Sequence, residues 1–273
     1  MEDNAEFNWY PGHIAKAERQ LKEKLVVIDI IIELRDARIP ESSRHRELKE
    51  WAKNKPVIVA LNKVDLADPR RITDYLEANP EIITINSKQG EIKNLVKAVK
   101  DAAKPIEEKN KSKGFKNKPI RVVVVGYPNI GKSSLINKFS KTKKAKVANK
   151  AGVTRQQQWI KIDSNIQLLD TPGIIPSKLY SKDQALKLAM CNCLGEHAYD
   201  DFNLALDALK LLEIKHPGII KKYYEVEDSE NILKTIALKR NWLITKNEPD
   251  LEKTATKVLF DIREGNLEKI FLD

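Results

Sequence analysis

The chain has 273 residues, of which 41% are hydrophobic and 32% are charged, a composition typical of a water-soluble globular protein. No apolar run approaches the roughly 18 residues that a membrane helix needs, and the first residues show no signal-peptide pattern, so we expect a cytoplasmic protein. The net charge of +10 fits either a Lys-rich surface or contact with a polyanion, and composition alone leaves both readings open.

The first half of the chain alternates helical and strand-like patterns. Residues Pro11–Lys24 carry apolar side chains at helical spacing, with charged residues between them. Three β-branched runs are typical of buried strands, namely Leu25–Leu34, Val57–Leu61 and Ile82–Ile85. Further helices are predicted over Arg44–Lys53, Pro69–Ala78 and Ile92–Ala103. The Lys-rich stretch Lys104–Pro119 has no period, and we interpret it as a mobile linker.

The second half continues this alternation and then becomes helical. The pattern predicts three strands and one helix, at Ile120–Val125, Trp159–Ile162, Ile166–Leu169 and Ser133–Ser140. From Lys182 onward the apolar residues have helical spacing and no strand run stands out. We therefore predict an α/β domain with a mostly parallel sheet over residues 1–180 and a small all-helical domain over residues 181–273.

A glycine-rich motif lies between the predicted strand Ile120–Val125 and the predicted helix Ser133–Ser140. Gly126–Ser133 fits G-x-x-x-x-G-K-[ST], a loop whose backbone N–H groups face phosphates, and a chance glycine-rich turn is the alternative. Lys132 would place its ammonium on the β- and γ-phosphates, and Ser133 would offer its hydroxyl to Mg²⁺. The other residues expected to contact the nucleotide here are Tyr127, Pro128, Asn129, Ile130, Gly131 and Ser134.

A second motif, Asn62-Lys63-Val64-Asp65, follows the predicted strand Val57–Leu61 and fits the guanine-reading pattern N-K-x-D. Asp65 can accept two hydrogen bonds from the N1–H and 2-amino groups of guanine, which adenine does not supply. Asn62 would tie this loop to the phosphate loop, and Lys63 would lie along the base.

The loop Asn86-Ser87-Lys88 is a weaker candidate for the same base site. The backbone N–H of Ser87 would point at guanine O6, although the usual form of this motif is Ser-Ala-Lys.

The order of these motifs is the reverse of that in an ordinary GTPase, in which the phosphate loop comes first and the base reader last. A binding site is assembled in space, so the sequence order can change while the chemistry stays. The sequence therefore indicates a circularly permuted P-loop GTPase.

Two segments after the phosphate loop complete the expected GTPase site. Asp170-Thr-Pro-Gly173 ends a predicted strand, so Asp170 is placed to hold Mg²⁺ through water and Gly173 to offer its N–H to the γ-phosphate. Thr154, between the phosphate loop and Asp170, is the candidate switch threonine for Mg²⁺. Each of these residues alone is weak evidence, since such loops are common.

Further segments carry a resemblance over nearly the whole chain. They are Trp9–Ala17, Asp36–Pro40, Ser42–Arg44, Gln157–Trp159, Asp261–Gly265 and Leu272-Asp273. With the nucleotide motifs, they resemble the circularly permuted GTPases of the YlqF/YawG family, which act in assembly of the large ribosomal subunit. The chain departs from that pattern where His45-Arg46 replaces the usual Asn-Pro.

The resemblance also bears on hydrolysis. Ile174 follows Gly173, where Ras-like enzymes carry the glutamine that orients water, and isoleucine is unable to do this. The resemblance implies His13 as the substitute, with helix capping or surface exposure as the alternative. The candidate catalytic residues are therefore His13, Lys132, Thr154 and Gly173. Asn129 resembles the asparagine that supports K⁺ in potassium-stimulated GTPases, although it can instead only fix the loop.

The resemblance implies a monomeric GTP/GDP switch that binds the large ribosomal subunit or its precursor through rRNA and has no membrane partner. The run Lys141–Lys150 is either solvated surface or an RNA contact. A GTP-dependent binder of another RNA, with incidental hydrolysis, is one alternative. A switch on an anionic membrane is another, but the sequence shows no amphipathic membrane helix or lipidation motif. Cys191 and Cys193 have no second ligand pair nearby, so we expect buried packing rather than zinc.

Overall fold

The computed structural model describes residues 19, 22–115, 118–141, 159–162, 165–169, 179–194, 198–227 and 230–273. Four residues expected in the site lie outside the described residues, namely His13, Thr154, Asp170 and Gly173.

One six-stranded sheet organises the first part of the chain. Its strands are β1 Ile30–Asp36, β2 Val57–Asn62, β3 Ile83–Thr84, β4 Ile120–Val125, β5 Trp159–Lys161 and β6 Ile166–Leu169. Their order across the sheet is β3-β2-β1-β4-β6-β5, and only the pairing of β5 with β6 is antiparallel. The mostly parallel sheet expected from the alternating pattern is thus confirmed.

Strand β1 lies at the centre of the sheet, between β2 and β4. Ile32 is level with Ile58 on one side and with Val124 on the other. All seven residues of β1 are buried, because parallel strands in this position are covered on both faces. The carboxyl ends of β2, β1 and β4 therefore meet at one edge of the sheet, where ligands bind in open α/β sheets.

Besides the helical residues 22–25, nine helices lie in the described part of the chain. They are α1 Leu48–Ala52, α2 Pro69–Ala78, α3 Lys93–Ser112, α4 Lys132–Lys141, α5 Lys182–Met190, α6 Asp201–Lys215, α7 Ile219–Tyr224, α8 Ile232–Lys239 and α9 Leu251–Glu264. The start of α2 follows capping rules, because the Asp68 carboxylate accepts from the N–H groups of Arg70 and Arg71 and Pro69 fills the first position. Short 3₁₀ turns cover Val64–Leu66 and Thr245–Asn247.

The predicted strand Leu25–Leu34 is wrong at its start. Residues 22–25 are helical, the N–H of Ile28 donates to the carbonyl of Leu25 in a turn, and the strand begins only at Ile30. Leu25 and Ile28 are nevertheless buried, in a small cluster on the face of the sheet opposite the main core. The residues of this run are apolar because they are buried, whether they lie in a turn or in a strand. A continuous apolar run therefore does not distinguish a buried turn from a strand.

The mobile linker predicted over 104–119 is wrong for its first part, because α3 continues to Ser112 with Pro105 in its interior. Ala103 is buried and Ile106 packs against the main core, so the apolar face of the helix extends past the proline. The Asn165 side chain, in the turn before β6, also donates to the Glu107 carboxylate at 3.0 Å. These tertiary contacts offset the hydrogen bond that proline removes from a helix.

The region after Lys182 is helical, as predicted. Its apolar residues join the same buried cluster as the sheet, which includes Leu34 and Tyr127 as well as Leu188, Leu209 and Leu259. In the described part of the chain no helix is both long and apolar enough to cross a membrane. The division into domains at residues 180 and 181 remains a prediction.

Candidate functional site

The phosphate loop, Gly126–Ser133, connects β4 to α4 at the carboxyl edge of the sheet. Gly131 has a φ of +105°, and a Cβ built on it would lie 2.1 Å from the side-chain nitrogen of Asn62. A Cβ on Gly126 would lie 2.6 Å from the carbonyl oxygen of Leu34 in β1. Both contacts are closer than any side chain permits, so this loop needs glycine at the two positions that the motif specifies.

Lys132 is buried at the start of α4, and its ammonium donates to the carbonyl of Gly126 at 3.0 Å and to that of Tyr127. Burial lowers the pKa of Lys132 to about 8. A nearby phosphate would favour the charged ammonium and raise this pKa, so phosphate affinity from Lys132 is fullest below pH 8 and declines as the pH rises through 8. The buried cation therefore fits a polyphosphate ligand.

The other residues of the loop divide into core and surface. Tyr127 and Ile130 point their side chains into the main core, so only their backbone groups are available to a phosphate. Ser133 and Ser134 are exposed in the first turn of α4, where backbone N–H groups lack intrahelical partners. A hydroxyl in this place is a suitable oxygen ligand for Mg²⁺.

Asn62 ends β2 and joins the base-reading segment to the phosphate loop, as expected. Its side-chain nitrogen donates to the carbonyl of Ile130 at 2.8 Å and to the hydroxyl of Ser87 at 2.9 Å. Its side-chain oxygen accepts from the N–H of Ser87 at 2.9 Å. One buried amide thus holds three loops together, although Asn62 and Ile130 are 68 residues apart in the chain.

We call Asn62–Leu66 the base loop. Lys63 has a left-handed backbone with a φ of +63°, and its ammonium lies 2.9 Å from the Asp36 carboxylate in β1. The side chain of Lys63 is therefore anchored at its tip, which the sequence did not predict. Asp65 is half-buried in the following 3₁₀ turn, and its carboxylate has no ion pair or hydrogen bond to the described residues. Its oxygens remain acceptors for a base.

Asp36 is a site residue that sequence reasoning missed, since it was used only as part of a family signature. It is fully buried, and the Arg38 guanidinium binds both of its oxygens at 2.9 Å. Although burial opposes ionisation, Arg38 and then Lys63 hold the pKa of this carboxyl well below its usual range. The signal available in the sequence was an acidic residue just past the predicted strand Leu25–Leu34, where a parallel sheet places its ligand-binding edge.

The expected role of the Ser87 backbone is contradicted. Its N–H donates to Asn62, so it does not face outward to a guanine oxygen. Asn86 is buried and accepts from the N–H of Gln89, which shapes the turn, whereas Lys88 is exposed with its ammonium 4.0 Å from the Glu264 carboxylate. This loop supports the base loop through its two hydrogen bonds to Asn62. The N–H of Ser87 is used in one of these bonds, so it is not available to a ligand.

Asn129 lies at the exposed tip of the phosphate loop with a φ of +52°. Its side-chain nitrogen donates to the carbonyl of Asn192 at 3.0 Å, in the turn after α5. No described residue donates to its amide oxygen, which is therefore available as an acceptor for a cation. Cys191 and Cys193 flank Asn192 and are buried, as expected, and no cluster of metal-ligating side chains occurs among the described residues.

The geometry thus combines two kinds of recognition at one edge of the sheet. The phosphate loop offers a desolvated ammonium and helix N–H groups to anionic oxygens. The base loop, bonded to it through Asn62, offers a carboxylate to two neighbouring donors. A guanine nucleotide has both features, at its two ends.

Comparisons with known proteins agree with this chemistry. Residues 121–257 match the family model described as 50S ribosome-binding GTPase. The chain is similar to the ribosome biogenesis GTPase A of Bacillus pumilus, with 38% identity over 93% of this chain and 94% of that protein. The protein of the same name from Thermotoga maritima is 30% identical over 96% of this chain and 92% of its own length.

Two solved structures are also similar. The GNP-bound crystal structure of YlqF from T. maritima has a TM-score of 0.67 and 25% identity, covering 94% of this chain and 97% of that one. The GDP-bound form has a TM-score of 0.67 and 26% identity, covering 93% and 98%.

Proposed function

Because this chain belongs to the family of 50S ribosome-binding GTPases, we propose that it binds and hydrolyses GTP and acts in ribosome assembly. The observation that carries this proposal is the bond from Asn62 to the carbonyl of Ile130. It joins a guanine-reading segment and a phosphate-binding segment that stand in reversed order along the chain. Neither an adenine nucleotide enzyme nor a plain phosphate-binding protein needs that junction.

In the proposed complex, the base loop reads guanine through Asp65, and the phosphate loop surrounds the phosphates with Lys132 at the β- and γ-positions. Ser133 would hold Mg²⁺ together with Thr154 and Asp170, and a bound Mg²⁺ supplies positive charge to the β- and γ-phosphates. The free amide oxygen of Asn129 supports the proposal of a K⁺ ion beside the phosphates.

We propose the large ribosomal subunit or its precursor as the partner, bound through rRNA by a monomer in the cytoplasm. The names of the relatives and of the family model support a ribosomal partner. The net charge of +10 supports contacts with RNA phosphates, which supply affinity that falls as salt rises. The γ-phosphate sensor at Gly173 precedes the helical region closely in the chain, so GTP can alter the orientation of that region.

We expect the protein to bind large ribosomal subunits more tightly with a non-hydrolysable GTP analogue than with GDP. Each RNA phosphate neutralised by Lys or Arg should add about one unit, or somewhat less, to the log–log salt slope. Co-sedimentation at two salt concentrations with both nucleotides measures this. Small subunits and an unrelated RNA serve as controls. Equal binding to those controls, or in both nucleotide states, would instead favour a general RNA-binding protein with incidental hydrolysis.

We further propose that His13 orients the attacking water, since Ile174 occupies the position of the usual glutamine. His13→Ala should lower ribosome-stimulated hydrolysis by roughly 10²-fold, a typical effect of a general catalyst, and leave GTP affinity almost unchanged. Single-turnover hydrolysis with ribosomal subunits and K⁺ measures the effect, with His197→Ala as the control. Full stimulated turnover in the His13 variant would assign water positioning to another group.

A further inference from the structure

The base loop has a second set of contacts, on the side away from the phosphate loop. The Lys63 ammonium is bound to Asp36, and the N–H of Ala37 donates to the carbonyl of Asn62 at 2.9 Å. The base loop therefore rests on the segment that follows β1. Any displacement of that segment would move the backbone on which Asp65 is carried.

Arg38 connects this segment to the end of α9. Its guanidinium binds Asp36 on one side and donates to the carbonyls of Ile262 and Arg263 on the other, at 3.4 and 3.1 Å. The last carbonyls of a helix lack intrahelical partners and carry partial negative charge, so a buried guanidinium is a fitting group there. Arg38 is 1% exposed, and its planar fork satisfies both neighbours at once.

The tail segment, residues 266–273, follows α9 and runs back along the base loop. The N–H of Ile270 donates to the carbonyl of Leu66 at 3.1 Å, and the N–H of Leu272 donates to the carbonyl of Arg38 at 2.9 Å. Between them, the Phe271 side chain packs in the cluster that contains Ala37 and Ala67. The tail segment thus contacts both the base loop and the segment after β1.

These contacts form a continuous network that connects the loop carrying Asp65 to the helical region. A fully satisfied buried ionic network fixes a single arrangement of its members, because each unpaired alternative leaves a charge without compensation. We propose that Asp36 and Arg38 are positioning residues for guanine recognition, and that base binding is coupled to docking of the tail segment. This inference rests on the proposed function, and it differs from γ-phosphate sensing because the base is the same in GTP and GDP.

The first test is the discrimination between GDP and IDP, which lacks the 2-amino group. Arg38→Lys keeps the charge but loses the fork, so it should weaken GDP binding by roughly tenfold and reduce the ratio of IDP to GDP dissociation constants by a similar factor, a typical coupling effect. The matched control is Arg35→Lys, since Arg35 lies three residues earlier and is also buried but pairs with Glu33. Its ratio should equal that of the unchanged protein.

A second variant covers the case in which Arg38→Lys fails to fold. Phe271→Leu loosens the tail segment without touching the ionic network, and it should lower the same ratio, whereas Phe260→Leu on the exposed face of α9 should not. An unchanged ratio in every folded variant, or an equal loss in Arg35→Lys, would overturn the inference. Failure of the unchanged protein to prefer GDP over IDP would instead overturn the proposed guanine site.

Coupling is reciprocal, which gives a test without any mutation. GDP and the GTP analogue should slow hydrogen exchange at the amides of Ile270 and Leu272 to the same extent in the full chain, and ADP should not. Exchange at these amides that is insensitive to guanine nucleotides would contradict the coupling, and protection by the GTP analogue alone would assign it to the γ-phosphate.

Discussion

Asp65→Asn is expected to lower affinity for GTP by about 10³-fold and to raise affinity for xanthosine triphosphate, because a site strongly rejects a base whose donors and acceptors do not match its own. The position of Lys63 in the structure supports this expectation. Lys63 is bound to Asp36, so its charge does not neutralise the Asp65 carboxylate. With asparagine in place, the side chain offers one acceptor and one donor, which suits the 2-oxo group of xanthine.

Asp68→Asn is the matched control for this variant. It removes the same charge three residues further on, and asparagine caps a helix as well as aspartate does, so α2 should be unaffected. Competition binding with GTP, xanthosine triphosphate and ATP measures the three affinities in both variants. If Asp65→Asn keeps its GTP affinity and gains none for xanthosine triphosphate, Asp65 does not read the base.

Gly131→Ala is expected to lower GTP and GDP affinity by about 10³-fold. The new Cβ would lie 2.1 Å from the Asn62 side-chain nitrogen and 3.1 Å from the Ser87 hydroxyl. It therefore displaces the Asn62 amide from Ile130 and Ser87 and places alanine at a φ of +105°, so the phosphate loop must leave the conformation that faces its N–H groups to phosphates. A loss of about 10³-fold corresponds to about 4 kcal/mol of binding free energy.

The control for this variant is Gly114→Ala. Gly114 also has a left-handed φ of +82°, but a Cβ there has no neighbour within 4 Å. It carries the backbone strain without the collision, so nucleotide affinity should stay the same. Thermal unfolding should be recorded beside titration with a fluorescent GDP analogue. Comparable losses of affinity in the two variants would show that the collision with Asn62 is not the cause.

The permuted order of the motifs leaves the geometry of the nucleotide site unchanged. The base loop and the phosphate loop leave β2 and β4, which flank β1, so they are neighbours in space whichever comes first in the chain. The helical region follows β6 in the chain and returns through the tail segment to the base loop. The proposed GTPase would therefore be joined to the helical region in two ways, by the chain that follows Asp170–Gly173 and by the contacts of Arg38.

The sequence by itself determined the chemistry of the site and the class of the fold. Phosphate and guanine recognition each need particular residues at short fixed spacings, so Gly126–Ser133 and Asn62–Asp65 could be identified without a structure. Strands β4 and β6 and helix α2 were predicted with the bounds that they have. Their signals are local, because a valine run, an alternating pair or an Asp-Pro cap depends only on neighbouring residues.

Only the tertiary structure decided how these parts are held. The continuation of α3 past Pro105 depends on a bond to Asn165 and on core packing at Ile106. The inward N–H of Ser87 depends on Asn62, and the role of Arg38 depends on the carbonyl of Ile262, 224 residues away. Contacts between residues so distant leave no periodic trace in a single sequence. They form because buried charges and backbone groups must find partners wherever the fold brings them.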